Sequence, residues 1–361
     1  MTSVTRHIRS LKIAFPWTSS PLIIGAPMRV IAGPELAVAI SEAGGLGFIG
    51  PGAKPSDLES SLAKATSLIS QSTTLQTHLS NSLLPIGVGF QTWAGDLKTA
   101  SSILSKYHPA VVWLFAPRHG QRELDEWAHK IRSTSPSTKI WIQAASVTHA
   151  LEAAQSSTPP DVLVIQGTDA GGHSLTKGAG IIVLLPEVAD ALSSIGKTND
   201  IPLIAAGGIA DSRGAAAAFA IGASGVAMGT RFLASKEAYI NPGYQRHVVS
   251  STDGGQTTVR TQLYNHLRGT MNWPKPFDAR GLINASWRDH ESGMNFEKNK
   301  ELHDEAIEKG EDAWGFEGRT ATYAGTVVGL VKDVKPAHEI VEEVRNGIEK
   351  RLTGALTDVR S

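Results

Sequence analysis

The feature that most constrains the fold is a unit repeated between residues 21 and 232, in which a short apolar run is followed by a turn and a helix-like stretch. This rhythm predicts βα units, because parallel strands need a long crossover and a helix usually provides it. We interpret the following apolar runs as strands: residues 22–25, 46–49, 85–89, 110–115, 139–144, 161–165, 202–206 and 225–228. Eight such strands predict a closed (β/α)8 TIM barrel, a fold of the α/β class.

The main alternative is an open, doubly wound parallel sheet. Its nucleotide-binding form carries a G-x-G-x-x-G motif that opens a helix directly after the first strand. Gly44 and Gly45 stand directly before the predicted strand at 46–49 and Gly47 lies at its start, so these glycines indicate a turn that leads into a strand and not one that opens a helix. The strand count and this placement favour the barrel.

The βα rhythm stops after Phe232, and one amphipathic helix follows near the C-terminus. Its apolar residues are spaced three or four apart and predict one buried stripe, at Ile340, Val341, Val344, Ile348 and Leu352. We interpret this helix as the eighth of the barrel, so the barrel comprises residues 1–236 and 334–361. Residues 237–333 then form a smaller lid or substrate subdomain, inserted after the eighth strand on the side where barrel active sites lie.

Composition excludes several classes of protein. Lys plus Arg and Asp plus Glu both number 34, so the chain has no overall attraction for nucleic acid or for an anionic membrane. The lack of cysteine excludes disulfides, thiolate metal sites and thiol nucleophiles. No run reaches the roughly 18 apolar residues of a membrane helix, and the basic N-terminus lacks the apolar core of a signal peptide. We expect a soluble cytoplasmic protein, with a weak mitochondrial presequence as the alternative.

Three glycine-containing segments follow predicted strands. Residues 166–173 (Gln-Gly-Thr-Asp-Ala-Gly-Gly-His) end in a histidine, which can exchange a proton near neutral pH. Residues 205–209 and 227–232 follow the last two predicted strands, where barrels commonly bind phosphate through backbone N–H groups. Together the segments predict one ligand site, with His173 as its catalytic candidate. The structural alternative is a set of ordinary turns and a histidine bonded to the backbone.

Other catalytic motifs are missing from the sequence. The 12 histidines form no H-E-x-x-H or similar ligand spacing, and no G-x-S-x-G motif is present. We therefore predict neither a metal site nor a serine nucleophile. We interpret Asp169, four residues before His173, as a cap of the turn and not as a partner of the imidazole.

The chain resembles the nitronate monooxygenase family in the order and spacing of four motifs: Gly-Ala-Pro-Met at 25–28, the segment 166–173, Ala-Ala-Gly-Gly-Ile at 205–209 and Met-Gly-Thr-Arg-Phe at 228–232. The similarity covers about residues 20–235 and extends more loosely to residues 322–325 and the last helix. It implies an FMN-dependent TIM barrel that oxidises alkyl nitronates with O2 to a carbonyl compound and nitrite. It also implies that His173 is the catalytic base and that His173 and Tyr323 bind the substrate.

The same resemblance implies which residues hold the FMN. Residues 26–28 contact the flavin ring, Gln166 and Gly171 lie beside it, and Gly208 with residues 227–230 holds the phosphate. The full set of cofactor-binding candidates is Ala26, Pro27, Met28, Gly89, Gln166, Gly171, Gly172, Gly207, Gly208, Ala227, Met228, Gly229 and Thr230. We expect a small-molecule substrate and O2 as partners, no nucleic acid and no membrane, and we leave homodimer formation open.

One position departs from the family pattern. Many members carry Asn after the third strand, whereas this chain has Gly89, and Gln91 can replace that amide only if the strand continues to it. The motifs also resemble FMN-dependent NAD(P)H:quinone reductases and enoyl reductases, and a barrel that binds a phosphorylated metabolite is the non-enzyme alternative.

His173 has two candidate roles, as a base or as an imidazolium that holds the nitro group. Candidates to line the pocket from the insertion are Tyr239, Tyr264, Trp273, Trp314 and Tyr323.

Overall fold

A computed structural model describes residues 3–52, 55–81, 83–197 and 200–358. Eight of the eleven strands in these ranges form one parallel sheet. They are β1 (Ile23–Gly25), β2 (Phe48–Ile49), β3 (Leu84–Gln91), β4 (Pro109–Phe115), β5 (Lys139–Ala144), β6 (Val162–Gln166), β8 (Leu203–Ala206) and β9 (Gly225–Met228). Each overlaps one of the runs predicted from the sequence.

The sheet closes on itself between its first and last members. Its order is β1-β9-β8-β6-β5-β4-β3-β2. Leu46, just before β2, bonds to both sides of Ile24: the amide of Gly25 donates to the Leu46 carbonyl at 3.1 Å, and the Leu46 amide donates to the Ile23 carbonyl at 3.0 Å. The barrel prediction is therefore confirmed, and the open sheet is wrong.

Helices on the outside of the barrel connect its strands. They are α2 (Pro34–Glu42), α3 (Pro55–Gln71), α4 (Leu97–Tyr107), α5 (Gln121–Thr134), α6 (Val147–Gln155), α7 (Ile181–Ser194) and α8 (Ser212–Ala220). Short polar side chains begin three of them, because the carboxylates of Asp96 and Asp211 and the hydroxyl of Ser146 accept bonds from first-turn amides. The last helix, α15 (Ala337–Asp358), packs against α2 and α8, in the place expected for the eighth barrel helix.

Large aromatic side chains fill much of the barrel interior. Trp113, Trp141 and Phe48 are almost fully buried inside it. Helix α1 (Ser3–Ala14) leads to Phe15, whose ring meets the Trp141 ring edge to face at 6.0 Å. The cavity described below lies at the other end of the barrel interior, toward the carboxyl ends of the strands.

The chain between β9 and α15 forms its own set of strands and helices. Its ends meet where the Lys236 amide donates to the Lys335 carbonyl at 3.0 Å and the Lys335 amide donates to the Ala234 carbonyl at 3.1 Å. Its elements include strands β10 (Thr258–Thr261) and β11 (Phe277–Leu282), helices α9 (Thr230–Leu233), α10 (Pro242–Ser250), α11 (Gly254–Thr257), α12 (Leu263–Leu267), α13 (Ala285–Glu291) and α14 (Phe296–Ile307), and the 3-10 helices Gly310–Ala313 and Thr326–Leu330. The division at residues 237 and 333 stays a prediction.

A barrel loop joins this body through a strand that the sequence did not predict. Strand β7 (Gly172–Leu175) follows β6 and forms the edge of an antiparallel sheet of order β10-β11-β7. His173 pairs with Ala279 of β11 in this sheet. The catalytic candidate is therefore held by strand pairing to the insertion and not by a free turn. None of the helices in the described ranges is long and apolar enough to span a membrane.

Candidate active site

A cavity of about 590 Å³ lies at the carboxyl ends of the barrel strands. Such a volume is typical of a small-molecule or cofactor site. Its wall contains twelve of the thirteen predicted cofactor residues: Ala26, Pro27, Gly89, Gln166, Gly171, Gly172, Gly207, Gly208, Ala227, Gly229, Thr230 and Met28. Met228 is the exception, because its side chain is fully buried in the barrel core.

His173 and Tyr323 also line this cavity. The Nε2 atom of His173 lies 3.0 Å from Oδ1 of Asn265, and the Tyr323 hydroxyl donates to the same oxygen at 3.0 Å. The Trp273 ring stacks on the imidazole with centroids 3.4 Å apart and planes 7° apart. The imidazole, which a barrel loop carries, is thus fixed by three residues of the insertion, namely Asn265 of α12, Trp273 and Tyr323.

The surroundings of His173 keep it uncharged at neutral pH. Burial lowers the pKa of the imidazole to about 3, opposed by the hydrogen bond to Asn265 and assisted by the positive charges of Arg260, Arg268 and Arg29. A neutral imidazole carries one N–H and one lone pair, so it can accept a proton. This protonation state favours the role of a base over that of an imidazolium.

Arg29 and Arg268 give the cavity a positive character. Both line it, and among the described residues neither forms a salt bridge with a carboxylate. Burial and the neighbouring Arg268 charge lower the pKa of Arg29. The Arg268 guanidinium lies 5.4 Å from the centre of the Tyr323 ring. Two cations without counter-ions at one cavity would attract an anion.

Arg260 of β10 holds the loop that carries His173. Its guanidinium donates to four carbonyls: Thr168 at 3.0 Å, Ala170 at 2.9 Å, Gly172 at 3.2 Å and Asp278 at 2.6 Å. Asp169, within the same loop, accepts from the Thr326 hydroxyl at 3.1 Å. Asp169 thus ties the loop to residues near the end of the insertion and is not bonded to the imidazole.

Gln166, at the end of β6, carries a buried polar atom without a partner. Its Oε1 is inaccessible to solvent and accepts no hydrogen bond from any residue in the described ranges. The nearby Gln143 differs, because its Oε1 accepts from the indole N–H of Trp113 at 3.0 Å. Since buried acceptors are normally satisfied, the Gln166 carbonyl is suited to an N–H donor on a ligand.

Comparison with known proteins places the chain in a family. A family model described as nitronate monooxygenase matches residues 128–347. The chain belongs to the nitronate monooxygenase family. It is 57% identical over 359 residues to nitronate monooxygenase npaC of Metarhizium robertsii, covering 99% of each chain. It is 35% identical to the nitronate monooxygenase of Neurospora crassa, covering 97% of this chain and 95% of that one. Members of this family are oxidoreductases.

Solved structures agree with this fold. FabK from Thermotoga maritima superimposes with a TM-score of 0.73 at 26% identity, covering 96% of this chain and 98% of that one. A nitroalkane oxidase from Streptomyces ansochromogenes superimposes with a TM-score of 0.70 at 23% identity, covering 96% and 99%. The second likeness concerns the fold alone.

The structure explains why this nitronate monooxygenase family member has glycine at position 89. A Cβ atom there would lie 2.3 Å from Cβ and 2.4 Å from Cγ of Pro27. Strand β3 continues to Gln91, so residues 89 and 91 lie on the same face of the strand, and both line the cavity. The condition under which Gln91 can replace the family asparagine is therefore met, and its flavin contact stays a prediction.

Four of the five predicted aromatic residues reach the cavity, namely Tyr239, Trp273, Trp314 and Tyr323. Tyr264 does not, because its ring is fully buried and its hydroxyl donates to the Leu282 carbonyl at 2.7 Å. Sequence reasoning missed Asn265, Arg260 and Arg268. Asn265 and Arg260 lie in short elements of the insertion and Arg268 directly follows α12, none of them in a motif, and only the folded chain brings them to His173.

Proposed function

We propose that this protein binds FMN at the carboxyl end of the barrel and oxidises alkyl nitronates with O2 to a carbonyl compound and nitrite. The observation that carries the proposal is the cavity that brings the His173 imidazole together with Arg29 and Arg268, neither of which has a carboxylate partner among the described residues. The low pKa of His173 keeps its imidazole neutral in this setting. A nitronate is an anion, so these cations suit it. A neutral nitroalkane, in turn, needs a base to become a nitronate.

The residues present fit a flavin. The buried Oε1 of Gln166 has no partner in the described part of the chain, and the flavin ring carries an N–H that such an acceptor can bind. Gly207 and Gly208 have φ values of 87° and 78°, which let their backbone approach a ligand closely. The sequence has no dinucleotide fingerprint after its first strand, which favours a mononucleotide. Gln166, Pro27 and Met28 would hold the ring, and Gly208 and Gly229 the phosphate.

The residues of the chain have separate tasks in this proposal. The bound flavin supplies the electron transfer and the reaction with O2. Arg29 and Arg268 attract the nitronate and hold its oxygens. His173 takes the α-proton when the substrate arrives as the neutral nitroalkane, a step that general bases typically accelerate by about 10²–10⁴-fold. Trp273 and Tyr323 enclose the imidazole and limit the access of water.

One experiment separates this function from its alternatives. The cofactor released by heating the purified protein should be FMN, and propyl-2-nitronate should reduce it anaerobically and yield nitrite in air. NAD(P)H should reduce it slowly. Rapid reduction by NAD(P)H with turnover of quinones or enoyl thioesters, and no nitrite from nitronates, would instead indicate a reductase. A protein that stays colourless after incubation with FMN would indicate a flavin-free barrel.

A further inference from the structure

Asn265 is a buried amide whose oxygen has two donors. It lies in α12 and is 1% exposed. Its Oδ1 lies 3.0 Å from the His173 Nε2 and 3.0 Å from the Tyr323 hydroxyl. A carbonyl oxygen only accepts, so both neighbours must donate to it. The arrangement therefore assigns a proton to Nε2 of the imidazole.

The other ring nitrogen of His173 is then the one with the lone pair. A neutral imidazole carries a single N–H, so the Nε2–H tautomer leaves Nδ1 as an acceptor. Nδ1 has no hydrogen bond to the described part of the chain, and it is not among the fully enclosed polar atoms that lack a partner. Because the side chain lines the cavity, Nδ1 is open to a ligand there.

We propose that Asn265 is a positioning residue, which fixes the Nε2–H tautomer of His173 so that Nδ1 takes the α-proton of a neutral nitroalkane. This inference rests on the proposed function. In the step, the α C–H bond breaks, its electron pair forms the C=N bond of the nitronate, and the N=O π pair moves onto a nitro oxygen, which takes the negative charge. The proton forms a new N–H bond at Nδ1, and nothing is oxidised or reduced. Nε2 keeps its proton and its bond to Asn265 throughout.

The charges around His173 explain why an amide occupies this position. Three arginines, Arg29, Arg260 and Arg268, act on the imidazole. A carboxylate at position 265 would also accept from Nε2, but it would pair with these cations and make the imidazole more basic. An amide orients the ring without adding a charge, so Arg29 and Arg268, which line the cavity, stay available to the anion that forms.

The tautomer can be measured without any substrate. Long-range ¹H–¹⁵N correlation spectra of the FMN-loaded protein with ¹⁵N-labelled histidine distinguish a protonated from an unprotonated ring nitrogen, and His173→Ala identifies the signals. We expect a protonated Nε2 and an unprotonated Nδ1 at pH 7. The opposite tautomer, or an average of the two, would overturn the proposal. This readout needs no turnover, so it is independent of the proposed function. If the protein shows the expected tautomer but makes no nitrite from nitronates, the proposed function is wrong while the role of Asn265 in orienting the ring stands.

Kinetics test the consequence of the tautomer. Asn265→Leu should lower kcat on a neutral nitroalkane by about 10²-fold, because a misoriented base loses most of its contribution, but by less than about 3-fold on a preformed nitronate. Asn265→Asp keeps an acceptor oxygen, so it should restore most of the rate and move the acidic limb of the pH profile upward. Equal losses on both substrates would overturn the proposal.

Asn299→Leu is the matched control for removal of a buried amide. Asn299 is fully buried in α14, donates to the Ser286 carbonyl at 2.8 Å and does not line the cavity. Its replacement should lower stability without changing the tautomer of His173 or the ratio of the two substrate rates. If Asn299→Leu changed that ratio as much as Asn265→Leu does, a general loss of packing would explain both variants, and Asn265 would have no positioning role.

Discussion

The indole ring of Trp273 lies flat against the imidazole of His173, with ring centroids 3.4 Å apart and planes 7° apart. The two residues are a hundred positions apart, yet they pack as one layer because β7 and β11 pair beside them. This face of the imidazole is therefore closed to water. Since burial is the largest cause of the low pKa of His173, the stack contributes directly to its neutral state.

Trp273→Ala should raise the pKa of His173. Removal of the indole admits water to one face of the ring, so the pKa should rise from about 3 toward the ordinary value near 6.5. Trp273→Phe keeps an aromatic face and should produce a smaller rise. NMR titration of the His173 ring measures both. An unchanged value in Trp273→Ala would contradict the role of the indole and mean that the other groups around the ring keep the imidazole neutral.

The protein should lose stability as the pH falls from 7 toward 4. His247 is 6% exposed, and burial lowers its pKa to about 4. Its pKa in the folded protein is below the value near 6.5 in the unfolded chain. Between these two pH values the unfolded chain binds more protons than the folded protein, so the free energy of unfolding decreases as the pH falls. This histidine should lower the free energy of unfolding by about 2 kcal/mol between pH 8 and pH 5. His173 acts in the same direction.

Urea denaturation at a series of pH values measures this effect. His247→Gln should remove its share of the pH dependence while the effect of His173 remains. The variant loses or changes the bond between the ring and the Thr322 hydroxyl, 2.9 Å in the native protein, so the slope with pH is the quantity to compare and not the absolute stability. Identical slopes in both proteins would contradict the assignment.

The sequence predicted the barrel because each strand is a short apolar run followed by a turn and a helix, and such local patterns survive in the fold. It also predicted that His173 and the glycine segments share one site, and they line the same cavity, while their roles stay predictions. It could not predict β7, because residues 172–175 become a strand only by pairing with β11, about a hundred residues later. Asn265 and Arg260 were missed for a related reason, since their roles depend on contacts across the insertion.

Gly89→Ala should reduce both stability and flavin retention. The added Cβ would lie 2.3 Å from Cβ of Pro27, a residue whose loop lines the cavity, so either the strand or the loop must move. Overpacking of this kind typically costs about 1–3 kcal/mol. Gly255→Ala is the control, because a Cβ at Gly255 has open space around it. Thermal unfolding and the flavin content after purification measure the two effects, and equal behaviour of the two variants would contradict the explanation.

Gln166→Leu should weaken flavin binding without destabilising the protein that lacks the cofactor. Its Oε1 is buried without a partner, so its loss removes no internal hydrogen bond. One lost bond to the flavin corresponds to about a 10-fold higher Kd. Gln143→Leu is the contrast, because it leaves the Trp113 indole N–H without its acceptor and should cost about 1–3 kcal/mol of stability. Flavin titration and urea denaturation give the two readouts. Loss of stability in Gln166→Leu would show that the side chain has a structural partner.

Arg29→Gln and Arg268→Gln should each raise KM for a nitronate by about 10-fold, while KM for the neutral nitroalkane changes less. Both arginines line the cavity without a carboxylate partner among the described residues, so their charge is available to an anionic substrate. The kcat/KM of the unmodified protein on nitronate should fall as NaCl is added, because ions screen this attraction, and the fall should be smaller in each variant.

Arg118→Gln is the control, because Arg118 is exposed, donates to the Asn272 carbonyl at 2.8 Å and does not line the cavity. If Arg118→Gln reproduced the change in KM and in salt dependence, general surface charge and not the two cavity arginines would attract the substrate.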